Sequence, residues 1–235
     1  MNNKHPLKNI SLIFYPDTHS YIDDLNNKYI SVSEWVENFF EKFDTDKIAS
    51  KCAIQREVTK ESLLQEWKKL GDNAAYKGNI VHEMLKCKFT GIKFQIDEQN
   101  KNIYHMYKKH VDIIFKEINN KLESIYIEHV IFDPDKKIAG TCDGLFITKD
   151  KSKYILIDWK TCKNIDKTNT YNKWGKYPYH LPDCNYYHYC LQLSMYNHIL
   201  KTQGYLKYDI PMIQKIVHIC ENKINTIDSK LINIE

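Results

Sequence analysis

The clearest pattern of apolar and polar positions lies between residues 138 and 160. Two runs of β-branched and aromatic residues, Ile138-Ala139-Gly140-Thr141-Cys142-Asp143-Gly144-Leu145-Phe146-Ile147 and Tyr154-Ile155-Leu156-Ile157-Asp158-Trp159-Lys160, flank a charged turn at 149–153. Such runs predict an antiparallel hairpin. Period-two alternation puts Tyr154, Leu156, Asp158 and Lys160 on one face, and Ile155, Ile157 and Trp159 on the other. A symmetric turn sets residues 146–148 against 153–155 and Asp143 directly opposite Asp158, with Cβ atoms about 4.5–5.5 Å apart. Two carboxylates that close repel unless a proton or a cation lies between them. With Lys160 two residues along the same face, the pattern predicts a divalent-metal site.

Upstream, residues 10–15, 20–22 and 29–32 read as short strands, the first two separated by a Pro16-Asp17 turn. Ser31 and Glu34, at capping-box spacing, open a helix through Trp35, Val36, Phe39 and Phe40. Asp44-Thr45-Asp46 starts a second short helix. Thr59 caps a helix over 60–70, in which Leu63, Leu64 and Trp67 share a face. A separate helix is predicted over 72–89, apolar at Ala74, Ala75, Ile80, Val81, Met84 and Leu85. A long helix over 97–120 follows. A strand over 122–132 places Ser124, Tyr126, Glu128 and Val130 on one face, and Asp133-Pro134-Asp135 turns the chain into the hairpin.

Beyond the hairpin, residues 161–184 lose periodicity. A helix over 185–203 closes at Gly204 as its C′ residue, a strand covers 213–220, and 221–235 reads as a polar tail. There is no internal repeat. The organisation predicted is one domain over 1–235: N-terminal strands and helices at 1–71, a core at 72–220, then the tail.

Composition changes this picture little. The 235 residues suffice for one sizeable core. A net charge of +4 is too mild to argue for nucleic acid by itself. Arg56 is the single arginine, so phosphate contacts would fall to lysines, which act as point charges and not as bidentate forks. No apolar run approaches the ~20 residues that span a bilayer, and the first residues lack a signal-peptide core. Seven cysteines, odd in number and without a Cys-x-x-Cys pair, fit reduced thiols. The expectation is an intracellular protein, cytoplasmic, nuclear or in a viral factory, with no membrane partner.

Three further features bear on chemistry. His82 leans over Gly78, one helical turn earlier, which leaves room for a metal or a phosphate. In 161–184, Tyr171, Trp174, Tyr177, Tyr179 and His180 interleave with Lys163, Lys167, Lys173 and Lys176. Aromatics among lysines suit single-stranded nucleic acid, whose bases stack while its backbone is neutralised; Lys163, Tyr171, Lys173, Trp174 and Lys176 are the candidate contacts. Gln192 lies between Tyr189 and Tyr196 on one helical stripe and needs a polar partner if buried.

Gly78/His82, Gly140–Asp143, Asp158–Lys160 and Gln192/Tyr196 occur in an order that resembles the RecB-like exonuclease branch of the PD-(D/E)XK nuclease superfamily. The similarity is to small exonucleases of the mitochondrial genome maintenance type and their viral relatives. The resemblance implies an α/β (α+β) fold with a restriction-endonuclease-like core: a central mixed sheet flanked by helices, elaborated by N-terminal helices. It implies Mg²⁺ or Mn²⁺ on His82, Asp143, Asp158 and the Trp159 carbonyl, with Glu128 as a supporting candidate behind them. Lys160 would orient or deprotonate the attacking water and stabilise charge on the phosphate, and Gln192 and Tyr196 would support the lysine side of the site or touch the scissile region. The implied activity is a DNA exonuclease acting on single-stranded ends in replication, repair or recombination. The alternatives are a structure- or sequence-dependent endonuclease and a non-catalytic nucleic-acid-binding module. With Cys220 the only cysteine past the last motif, no iron–sulfur cluster is expected. Helicase motifs are absent from the sequence, so unwinding would come from a helicase or recombination partner.

Overall fold

The computed structural model describes residues 2–234. Three N-terminal antiparallel strands, β1 (Asn2–Lys4), β2 (Ser11–Tyr15) and β3 (Ser20–Asp23), lead into β4 (Lys28–Ser31). The Ser31 hydroxyl accepts the Glu34 N–H at 3.0 Å and so caps α1 (Val32–Glu37). Helices α2 (Thr45–Arg56), α3 (Lys60–Thr90) and α4 (Lys101–Lys121) follow. Strands β5 (Leu122–Asp133), β6 (Ile138–Thr148) and β7 (Tyr154–Lys160) come next, then α5 (Asn185–Thr202), β8 (Met212–Ile219) and β9 (Ile224–Asp228).

All nine strands join one mixed sheet. The long strand β6 is its spine. β5 runs antiparallel along one edge of it, and the other edge is shared. There β4 pairs in parallel with Ile138 and Ala139, and β7 pairs antiparallel with residues 144–147. No strand partner is recorded on that edge for the stretch between, Gly140 to Asp143, among the described residues. β8 lies parallel to β7, reached by the α5 crossover, and β9 closes the edge.

The sheet is covered on both faces. On one, α1 and α5 bury Val36, Leu193 and Ile199 against Leu145, Tyr154, Leu156 and Ile216. On the other, α3 and α4 bury Val81, Leu85, Tyr107 and Ile114 against Phe146, Ile157, Trp159 and Val217. The alternation predicted for β7 is therefore met: Tyr154 and Leu156 face one layer, Ile157 and Trp159 the other. Each such side chain contributes about 1.5–3 kcal/mol on burial, which fixes the strand against a one-residue slip that would reverse every face.

Four expectations need correction. The helices predicted over 60–70 and 72–89 are one 31-residue helix, α3. Gly71 does not break it, because a lone glycine in an exposed helix costs only ~1 kcal/mol and sits here in open space. The division at 71/72 therefore falls inside a helix. The long helix starts at Lys101 and not at 97, since Asp97 turns the chain by accepting the N–H groups of Gln99 and Asn100. The tail contains β9, whose Ile216↔Ile227 pairing extends the sheet. In β5, a register shift between Ser124 and Tyr126 and a left-handed Glu128 (φ 47°) break the single face drawn from Ser124 to Val130.

All seven cysteines are free thiols. No helix among the described residues is long and apolar enough to cross a membrane.

Candidate metal centre

The centre forms where β6 and β7 part. Their ladder follows the register expected from a symmetric turn, from Ile147↔Tyr154 to Gly144↔Ile157, and there its recorded pairs end. One step further, where the register would set Asp143 against Asp158, the ladder has ended and the Asp143 carboxylate takes the place of a ladder carbonyl. Its Oδ2 accepts the Trp159 N–H at 2.8 Å. This bond fixes the Asp143 carboxylate on the buried backbone of β7.

α3 brings in His82. Its Nδ1 lies 2.9 Å from Glu128 Oε1 and 3.7 Å from Asp143 Oδ1, and its Nε2 is 3.1 Å from the Trp159 carbonyl oxygen. One ligand atom each from His82, Glu128 and Asp143 fall within 4.8 Å of one another. Glu128, foreseen only in a supporting role, is in direct contact with the histidine. The left-handed backbone at Glu128 accompanies that placement; a non-glycine residue there costs on the order of 1–3 kcal/mol and persists only when its surroundings enforce it.

Asp158 is turned the other way, toward Lys160. The ammonium stands 2.8 Å from Oδ2 and donates to Oδ1 at 3.1 Å. The Oδ2 contact is an ion pair without hydrogen-bond geometry, so this buried oxygen lacks a fitted donor among the described residues. Lys160 also reaches Gln192 Oε1 at 3.4 Å and lies 4.6 Å from the centre of the Tyr189 ring. Gln192 in turn donates to the Tyr196 hydroxyl at 3.1 Å. The polar partner that Gln192 demanded is thus the lysine and tyrosine of one chain of contacts.

Tyr196 owes its position to a glycine. A Cβ on Gly140 would stand 2.6 Å from Tyr196 Cε1 and 3.0 Å from its hydroxyl, with Val32 Cγ2 at 3.1 Å. The phenol therefore packs directly on the part of β6 whose β4/β7 edge has no strand neighbour. Gly140→Ala is expected to displace Tyr196, to destabilise the fold by about 1–3 kcal/mol and to loosen Gln192, read as a lowered melting temperature in a thermal unfolding series. Gly78 has more room: its nearest outside atom is Thr161 Oγ1 at 3.4 Å.

Burial and mutual charge set the protonation of the centre. Burial lifts the Asp158 carboxyl to about 6, with Asp143 adding to the rise and Lys160 opposing it. Burial also raises Asp143, with Glu128 adding and His82 and Lys160 pulling back. Burial disfavours charge on His82, but Asp143 and then Glu128 outweigh it and carry the imidazole to about 9. Lys160 follows the same logic: burial is overcome by Asp158 and Asp143, and its pKa rises.

The donor set fits a divalent cation. Neighbouring ligands at about 2.1 Å from a six-coordinate ion stand about 3 Å apart, close to the 2.9 Å between Glu128 Oε1 and His82 Nδ1, the ring nitrogen that faces both carboxylates. Three carboxylates against one lysine and one protonated imidazole still leave net negative charge once a cation displaces the imidazole proton, and the Asp158 Oδ2 lacks a donor.

The segment 161–184 is without helix or strand apart from an isolated Trp174–Pro182 bridge. Tyr171 is 83% exposed, Trp174 57% and Tyr177 76%; Lys163 and Lys176 are exposed too. Lys173 is paired with Glu41 at 2.8 Å, which offsets its charge. Tyr179 instead packs inward, 4.8 Å from Phe39 of the α1 end. The segment is therefore anchored at one side and open at the other.

Sequence reading missed one wall of the centre. A cleft of about 370 Å³ opens onto Asp143, Glu128 and Gln192, and its far side is made by the N-terminal strands through Phe14, His19 and Tyr21. No local signal marks them, because they arrive by the β4–β6 pairing between residues more than a hundred positions apart.

No family model matches the chain, and no curated protein matches it. A solved structure described as "Crystal structure of SSO0001" aligns with 63% of this chain and 75% of its own length, at 14% identity and a TM-score of 0.23. That likeness is too slight to assign fold or function. The chain is a mixed α/β protein with a helix-flanked sheet and a cluster able to hold a metal.

Proposed function

We propose that the protein is a divalent-metal-dependent DNA nuclease of the PD-(D/E)XK superfamily, RecB-like branch, acting as an exonuclease on single-stranded ends. One observation carries the reading: carboxylates from β5 and β6 meet His82 of α3, and beside them the β7 carboxylate Asp158 pairs with the half-buried Lys160. Lone carboxylate clusters are common; a cluster with an adjoining half-buried ammonium is suited to phosphoryl chemistry, where charge must be met on both nucleophile and phosphate.

His82, Glu128, Asp143, Asp158 and the Trp159 carbonyl are the groups that would hold Mg²⁺ or Mn²⁺. When bound, such an ion supplies positive charge for the phosphate oxygens and acidifies water enough for attack near neutral pH. The remaining work falls to the chain. Asp143 is held in place by the Trp159 N–H. Lys160, whose pKa Asp158 and Asp143 raise against burial, orients the attacking water and meets charge on the phosphate. Gln192 and Tyr196 fix the direction in which the ammonium points. The exposed rings of Tyr171 and Trp174, with Lys163 and Lys176, offer stacking faces and point charges to an unpaired strand.

A labelled single-stranded oligonucleotide incubated with Mg²⁺ or Mn²⁺ tests the activity. Wild-type protein is expected to digest it, and Asp158→Ala to be slower by about 10²–10⁴-fold, the loss of several kcal/mol of charge placement. Equal rates in the two proteins, or no digestion by folded wild-type protein, sink the reading. A covalently closed single-stranded circle should survive; its cleavage would make the enzyme an endonuclease, and binding without any cleavage would make it a nucleic-acid-binding module.

A further inference from the structure

The turn between β2 and β3 supplies no ligand to the centre described above, yet it forms one wall of its cleft. Phe14, Pro16, His19 and Tyr21 form the side of the 370 Å³ cleft that faces Glu128 and Asp143. Their rings are ordered in layers. Tyr21 is buried at the base, and its hydroxyl shares a 3.1 Å hydrogen bond with Thr141 Oγ1, two residues before Asp143. Phe14 lies on Tyr21, with centroids 4.7 Å apart and planes 29° apart. His19 stands edge-on to Phe14 at 5.4 Å and 87°, and is exposed.

Backbone geometry holds this arrangement. Pro16 opens a short 3₁₀ turn, and His19 closes it in the left-handed region at φ 46°, its N–H bonded to the Pro16 carbonyl at 3.2 Å. A left-handed non-glycine residue costs on the order of 1–2 kcal/mol, so the turn is held by its contacts. The outcome is an aromatic wall that begins in the core and ends with partly open ring surface beside the carboxylates.

Charge and size limit what can lie there. Glu128 and Asp143 line the cleft, and no lysine or arginine does among the described residues. A bare phosphate is repelled except where a cation offsets the carboxylates. The aromatic side favours something flat and uncharged. A volume of 370 Å³ lies at the small end of the roughly 300–1,000 Å³ of ligand pockets, too little for a duplex.

We propose that this turn is a nucleobase subsite, in which Phe14, backed by Tyr21, stacks the base of the nucleotide whose phosphate lies at Asp143 and Glu128, and His19, edge-on to Phe14, borders it. The inference rests on the nuclease reading and adds to it a contact with the base. Every base has a π face, so the grip is tolerant of sequence. A paired base in a duplex is already stacked on both faces, so entry requires an unpaired one. Preference for single-stranded or frayed ends follows from the wall itself, independently of the 161–184 segment.

The test has two arms. In the first, an oligonucleotide with 2-aminopurine at the nucleotide to be cleaved is bound in Mg²⁺ to the Lys160→Met protein and read at once after mixing, before its cleavage, slowed about 10²–10³-fold, proceeds. Stacking is expected to quench its emission, and the quench to disappear in Phe14→Leu, which keeps apolar volume without a ring, and to weaken in His19→Ala. In the second, the cleaving protein carrying Phe14→Leu is expected to show a KM raised about tenfold, within the range for loss of one stacked base, with kcat nearly unchanged. An abasic residue at the same position should raise the wild-type KM equally and that of Phe14→Leu no further. Unquenched emission, a quench unaltered in Phe14→Leu, or a KM indifferent to both changes overturns the subsite. If wild-type protein hydrolyses no oligonucleotide, the nuclease reading fails instead, and the fluorescence arm still decides whether the wall holds a base.

Discussion

Lys160→Met is expected to lower kcat on a single-stranded oligonucleotide by about 10²–10³-fold, the usual cost of losing one aimed donor at a developing charge, while the protein remains folded. Methionine keeps the length of the stem and removes the ammonium, so packing against Tyr189 survives. What is lost is the partner of Asp158, 2.8 Å away. Without it the carboxyl, already lifted to about 6 by burial, rises further and spends more of its time protonated at neutral pH. The variant therefore loses on two counts: the donor toward the phosphate, and part of the negative charge that attracts the cation. Single-turnover rates at saturating Mn²⁺ separate them, since added metal restores only the second. A Lys160→Met protein within tenfold of wild type at saturating Mn²⁺ would remove the lysine from the chemistry.

The hairpin register was legible because two period-two strands around a short turn admit few pairings, and burial of both faces rejects the slipped ones. The pairing of Phe146 with Ile155 and Gly144 with Ile157 follows the symmetric turn. Glu128 was only half legible. Its position on a neighbouring strand could be read, but the bulge at Ser124/Tyr126 and the left-handed backbone at Glu128 itself could not. Those features come from tertiary enforcement, and they bring the carboxylate onto His82. The strand β9 was missed because Ile224, Asn225, Thr226, Ile227 and Asp228 do not alternate, and pairing with β8 alone makes it a strand. Phe14, His19 and Tyr21 had no local signal at all.

The least legible feature organises the others. Along one edge, β6 is paired with β4 at one end and β7 at the other, leaving the stretch from Gly140 to Asp143 between two ladders. Into that gap come Tyr196 over Gly140, Tyr21 through Thr141, and the Asp143 carboxylate on the Trp159 N–H. Both the metal cluster and the aromatic wall are consequences of one interrupted edge, where backbone groups otherwise spent on a ladder are replaced by side chains. Sequence periodicity reports where strands lie but not where their pairing stops.

Raising the pH from 7 to 9 is expected to lower the melting temperature of the metal-free protein and to strengthen its binding of Mn²⁺. His82 titrates near 9 in the folded protein and near 6.5 when unfolded. A raised pKa of this kind contributes stability that is complete below 6.5 and is lost as pH climbs through 9, because the folded state holds the extra proton. Asp158, raised to about 6, has the same sign, but its contribution is already lost by pH 7. The window from 7 to 9 therefore separates His82 from Asp158, and each kcal/mol lost should appear as about 2–4 °C at this chain length. Subtracting the profile of His82→Gln, which lacks the proton site, removes any slope from the thiols. Ligation by His82 needs the neutral imidazole, so the cation must displace that proton. Apparent Mn²⁺ affinity should then rise about tenfold per pH unit from 7 until it levels near 9, and fall more steeply below 6 where Asp158 also takes a proton. Calorimetry in buffers of different ionisation enthalpy should count about one proton released per ion at pH 7.5. An affinity flat from pH 7 to 9, or one sharing the same slope in His82→Gln, would place the histidine outside the coordination sphere and leave the carboxylates alone to hold the ion.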